Sequence, residues 1–121
     1  MNVLLVEDDH DLRECMEEAL IARGFAISLA ESGVEAIDRI SAGGADVIIT
    51  DLLMPNGGGL KVLEVAAQHQ IPCVVFTGFV DAYRTQIPHS ALTLIKGETD
   101  LDSLADAVRL LAKRRPVAQA A

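Results

Sequence analysis

At 121 residues, 50% hydrophobic and only 3% aromatic, the chain has the length of one domain and must build its core from Val, Leu, Ile and Ala. Its formal net charge of −8 argues against direct nucleic-acid binding and against an anionic membrane surface, both of which call for Lys and Arg. No apolar stretch approaches the roughly 20 residues of a bilayer span, and MNVLLVEDD has no basic segment ahead of its apolar run, so neither a membrane anchor nor a secretory signal is expected and the chain is read as cytoplasmic.

Taken in chain order, NVLLV (Asn2 to Val6) is a short apolar run of the kind buried on both faces of a sheet. Leu12, Cys15, Met16, Ala19 and Leu20 then recur at helical spacing, and Gly24 ends that helix. FAISL (Phe25 to Leu29) is the weakest strand and reads as an edge. Ser32 is placed to cap a second helix with Val34, Ala36, Ile37 and Ile40 on its inner face, closed by Gly43 and Gly44.

DVIIT (Asp46 to Thr50) is a third strand. Leu60, Leu63 and Ala67 mark a helix after the glycines, and PCVVF (Pro72 to Phe76) is a fourth strand, with proline at its tolerated first position. Asp81 to Gln86 offers a turn or two of helix before Pro88. ALTLI (Ala91 to Ile95) is the fifth strand. Leu101, Leu104, Ala105, Val108, Leu111 and Ala112 define an amphipathic final helix. Lys113, Arg114 and Arg115 complement the dipole at its end, and PVAQAA is a frayed tail. Cys15 and Cys73 are expected to be small, reduced core residues, and no Cys/His spacing points to zinc.

Five strands alternating with helices predict a parallel sheet with right-handed crossovers, a doubly wound α/β sandwich. Ligands in such sheets bind beyond the carboxyl ends of the strands. There stand Glu7, Asp8 and Asp9 after the first strand, Asp51 after the third, Thr77 and Gly78 after the fourth, and Lys96 after the fifth. Carboxylates ~5 Å apart repel by roughly 3 kcal/mol per pair at an effective dielectric of 20. Either one is protonated or a cation sits among them. Hard oxygen donors without histidine or thiolate favour Mg2+. Asp51 is then an unhindered carboxylate able to form an acyl phosphate. Lys96, the Thr77 hydroxyl and the N–H groups of Leu53 and Gly78 are placed to contact phosphoryl oxygens. Each residue also has a plainer use: Asp8 or Asp9 as a helix cap, Asp51 or Thr77-Gly78 as turn residues, Lys96 as a solvated charge, His10 as an exposed helix-start residue, and Gly57, Gly58 and Gly59 as a flexible hinge.

The ordered set LLVEDD…R (ending at Arg13), DLLMPNGGG, VVFTG and LIKG resembles the receiver domain of two-component response regulators over nearly the whole chain. The resemblance implies a flavodoxin-like sheet of strand order 2-1-3-4-5 with helices on both faces, a receiver domain over 1–115 and a tail over 116–121. It implies that Asp51 is the phosphoacceptor, that Asp8 binds Mg2+ directly and Glu7 mainly through water, and that the Leu53 carbonyl is a further metal ligand. Thr77 matches the switch hydroxyl and Lys96 the phosphate-contacting lysine, with Met54, Pro55 and Gly59 in the loop after the phosphoacceptor. The implied partners are a sensor histidine kinase or histidine phosphotransfer protein and a downstream protein target. The chain would catalyse only its own phosphorylation and dephosphorylation.

Three departures stand out. Thr93 occupies the position of an aromatic on strand five, leaving Phe79 or Tyr83 as candidate substitutes. Gly97 replaces the proline after the lysine, so a different loop is expected there. The Thr77-to-Lys96 interval is a few residues short, so the helix between strands four and five should be short or displaced. Without a following effector domain, output is expected to pass through another protein or a phosphorelay. An aspartate-nucleophile phosphatase is disfavoured because Leu53 stands where its proton donor would be. A phosphorylation-independent interaction module is the alternative reading.

Overall fold

The computed structural model describes residues 1–54, 58–78, 84–88 and 91–113. Pro55, Gly57, Phe79, Tyr83, His89, Arg114, Arg115, the start of the Asp81–Gln86 turn and the tail over 116–121 lie outside the described residues. The elements run β1 (Asn2–Val6), α1 (His10–Ala22), β2 (Ala26–Ala30), α2 (Gly33–Ala42), β3 (Val47–Thr50), α3 (Gly58–Gln68), β4 (Cys73–Thr77), a 3-10 turn (Arg84–Gln86), β5 (Leu92–Ile95) and α4 (Leu101–Lys113). All strand pairs are parallel and the order is β2-β1-β3-β4-β5. The weakest predicted strand, β2, is indeed an edge. Between β4 and β5 the helical structure among the described residues is that single 3-10 turn.

Alternation along the strands sends successive side chains to opposite faces. Leu4, Val6, Ile48 and Val75 pack with Ala36, Ile40, Val62, Leu63 and Ala66 of α2 and α3. Val3, Leu5, Val47, Ile49, Val74 and Phe76 pack with Met16 and Leu20 of α1 and with Leu104, Ala105 and Val108 of α4. The sheet is therefore covered on both sides, as continuous apolar strands require. No helix among the described residues is long and apolar enough to cross a membrane.

Helix faces differ in detail from the sequence reading. Cys15 is exposed, not a core residue, because α1 buries the narrow stripe Arg13, Met16 and Leu20. Val34 is exposed because α2 turns Gly33, Ala36 and Ile40 inward. Ala67 is exposed while Val62, Val65 and Ala66 carry the α3 contact. Cys73 is buried as expected, and burial pushes its thiol up to about 12, so it stays neutral.

Gly59 is not a hinge. It is buried inside α3, and a Cβ there would lie 1.9 Å from the Asp51 carbonyl oxygen and 2.7 Å from the Leu52 Cα. Only glycine lets the helix approach the loop that carries Asp51 so closely. The contact is completed by the Gly59 N–H donating to the Leu52 carbonyl at 2.9 Å.

Candidate functional site

The chain leaves β1 for β2 on one side and reaches β3 on the other, which opens the crevice between the carboxyl ends of β1 and β3. Glu7 and Asp8 follow β1, and Asp51 follows β3. Main-chain hydrogen bonds continue past the strands to hold them. The Glu7 N–H donates to the Ala30 carbonyl at 3.1 Å and the Asp51 N–H to the Val6 carbonyl at 3.4 Å. Glu7 is 2% exposed and Asp51 7%, whereas Asp8 is open to solvent. Oxygen atoms of Glu7, Asp8 and Asp51 all lie within 4.8 Å of one another, a carboxylate cluster able to hold a metal ion.

Lys96 reaches this cluster from β5. Its Nζ lies 2.6 Å from Asp51 Oδ2 and 2.8 Å from Glu7 Oε1. The Asp51 Oδ1 accepts from the Leu52 N–H at 2.6 Å. The lysine is fixed from behind: its N–H donates to the Thr77 carbonyl at 3.0 Å, and its ammonium lies 6.0 Å from the Phe76 ring centroid. Gly97 follows at φ +87°, a left-handed conformation that suits glycine, and the Ile95 carbonyl accepts from both Glu98 and Thr99. The described residues contain no cis peptide bond, so this turn differs from a cis-proline loop.

Burial pushes the Glu7 carboxyl above the usual carboxylate range, and the nearby Asp51 charge adds to that; Lys96 only partly offsets it. Burial pulls the Lys96 ammonium down, but its hydrogen bonds to Asp51 and Glu7 outweigh that and hold it above the usual lysine value. Both groups therefore hold their protons more tightly than in water. For Glu7 the main cause is burial; for Lys96 it is the two carboxylates that accept from it.

Thr77 ends β4 fully buried, paired in register with Ile95. Since β4 lies between β3 and β5, Thr77 stands on the rim between Asp51 and Lys96, and Gly78 is exposed beside it. Leu53 is exposed on the loop after Asp51. Asp9 caps α1, its Oδ1 accepting from the Leu12 N–H at 3.1 Å. His10 is exposed beside Asp11.

Arg13, which closes the LLVEDD…R motif, has no role of its own in the sequence reading, yet it touches the site. Its Nη1 donates to the Glu7 carbonyl at 3.0 Å and its Nη2 lies 3.3 Å from Glu31 Oε1. Arg13 falls three residues before Met16 and seven before Leu20, on the stripe of α1 that the structure buries.

The model of the response regulator receiver domain matches residues 3–111. The chain belongs to the response regulator receiver-domain family. This receiver domain is 39% identical over 79 residues to the response regulator MprA of Mycobacterium avium (strain 104), covering 64% of this chain and 35% of that protein. It is 27% identical over 118 residues to the response regulator ArlR of Staphylococcus haemolyticus (strain JCSC1435), covering 95% of this chain and 54% of that protein. The chain thus spans about half or less of the length of these curated relatives. Among solved structures, a response regulator receiver protein from Sinorhizobium medicae WSM419 superposes with a TM-score of 0.89 at 25% identity, covering 96% of this chain and 97% of that one. The response regulator protein TrrA from Thermotoga maritima, solved in complex with Mg2+ and BeF, superposes with a TM-score of 0.79 at 28% identity, covering 91% of this chain and 97% of that one.

Proposed function

We propose that this receiver domain accepts a phosphoryl group from the phosphohistidine of a sensor kinase or histidine phosphotransfer protein onto Asp51, with Mg2+ as cofactor. The observation that carries the reading is the meeting of Glu7, Asp8 and Asp51 oxygens within 4.8 Å, with the Lys96 ammonium bonded to two of the three acids. The cluster offers hard oxygen donors alone, the chemistry that suits Mg2+. Glu7, Asp8, Asp51 and the Leu53 carbonyl would hold the ion. Bound there, Mg2+ supplies the positive charge that lets an anionic phosphoryl group enter an acidic pocket.

The chain's own residues do the rest. The Asp51 carboxylate forms the new O–P bond as the P–N bond of the phosphohistidine breaks and the imidazole departs with the electron pair. Lys96, already within hydrogen-bond reach of Asp51, moves its charge onto the phosphoryl oxygens. The Thr77 hydroxyl and the N–H groups of Leu53 and Gly78 take the remaining oxygen contacts. The protein catalyses only its own phosphorylation and dephosphorylation, acts in the cytoplasm and signals by a phosphorylation-dependent protein contact or by phosphorelay.

Incubation with acetyl phosphate and Mg2+ tests the assignment. The wild type takes up one acid-labile phosphate per chain, also released by hydroxylamine as an acyl phosphate requires, and Asp51→Asn takes up none. Stoichiometric labelling of Asp51→Asn contradicts it.

A further inference from the structure

A guanidinium on the apolar stripe of α1 calls for an explanation. Arg13 is 8% exposed, in line with Met16 and Leu20. Burying a charge is unfavourable unless it is paired, and an aliphatic side chain would cover that stretch of sheet without the penalty. One Arg13 partner, Glu31, is itself largely exposed, and exposed ion pairs contribute little. The other partner is informative. The Glu7 carbonyl belongs to the peptide joining Glu7 to Asp8, so the guanidinium grips the link between two of the three clustered carboxylates. The same loop is held from two further points. The Asp9 N–H donates to Glu7 Oε2 at 3.3 Å, and the Asp9 carbonyl accepts from the Arg13 N–H at 2.9 Å.

We infer that Arg13 is a positioning residue for the cation site: its hydrogen bond to the Glu7 carbonyl fixes the Glu7–Asp8 peptide and with it the relative aim of those two carboxylates. The inference rests on the proposed Mg2+ role of the cluster. Charge and geometry make opposite demands here, which gives the test its sign. As a nearby cation, Arg13 would oppose Mg2+ binding, so its removal would tighten the ion. As a clamp on the ligand loop, its removal must loosen it.

The full chain is titrated with Mg2+ alone and followed by amide NMR, for the wild type, Arg13→Gln, Arg13→Lys and Glu31→Gln. In Arg13→Gln the Mg2+ affinity falls about tenfold, the usual scale for losing a group that orients a metal ligand. Arg13→Lys, which keeps a donor and the charge, loses less. Glu31→Gln changes affinity by less than about twofold, as for an exposed pair. In the metal-free protein the Glu7 carbonyl carbon resonance shifts in Arg13→Gln while that of Thr50 holds, a readout that does not depend on any cation.

An Arg13→Gln protein that is less stable to heat yet binds Mg2+ as tightly as the wild type, or more tightly, overturns the inference. Should Arg13→Gln fail to fold, Arg13→Lys decides by the same rule: weaker binding supports the clamp and undiminished binding overturns it. A wild type that binds no Mg2+ sinks the reading of the acid cluster itself, an outcome separate from any effect at Arg13.

Discussion

Glu7 is the most buried carboxylate of the rim, and its environment sets an unusual pH dependence. Its folded pKa lies above the ordinary 4.5, with burial as the main cause. An acid with a raised folded pKa stabilises the fold below its unfolded value, and that contribution is lost as pH rises through the folded value. In the metal-free protein, stability should therefore fall as pH climbs from about 4.5 through the mildly acidic range. Glu7→Gln, neutral at every pH, should flatten that part of the profile and unfold at a higher temperature at neutral pH. Denaturation with chelator present checks it; an unaltered profile in the variant contradicts it. The same substitution should weaken the site for cations, since it removes one anionic oxygen donor. Glu7, Asp51 and Lys96 were legible in the sequence because each directly follows an apolar run, and parallel strands end on one rim. Arg13 was not, because its use depends on which stripe of α1 meets the sheet.

Among the elements, α3 bears most directly on the site. Its second residue, Gly59, sits against the backbone of Asp51 and Leu52 with no room for a methyl group. Gly59→Ala should cost about 1–3 kcal/mol, the range for overpacking a tight contact. It should also slow phosphate uptake from acetyl phosphate by displacing Asp51. An unchanged denaturation midpoint would count against this close fit. The three adjacent glycines looked in sequence like a source of flexibility, and only the folded contact distinguishes a hinge from a close approach. Helix existence and caps were readable: Ser32 accepts from the Glu35 N–H at 3.2 Å, as its type predicts. Inner faces were less so. Cys15 and Val34 lie next to the true stripes of α1 and α2, and one step along a helix turns a side chain by about 100°. On β5, Thr93 is half-buried, and among the described residues a 3-10 turn is the helical structure between β4 and β5.

For the whole molecule, folding does what no segment does alone. Lys96 meets Glu7 across 89 positions of sequence, and four parallel strand pairings supply the register that brings them together. The alternation of strand and helix patterns made that topology predictable, whereas distances within the pocket come only from packed backbones. The net charge of −8 leaves the acid cluster in a negative molecule, which favours cations over bare phosphate as the first arrival. The decisive measurement is an amide NMR titration of the full chain with Mg2+, followed by beryllofluoride as an acyl-phosphate mimic. Mg2+ should shift the amides of Glu7, Asp8 and Asp51 to Leu53 in a saturable manner. Beryllofluoride should then move Asp51, Thr77, Gly78 and Lys96, and neither effect should survive in Asp51→Asn. Amides around Asp51 that respond to neither addition would contradict the account.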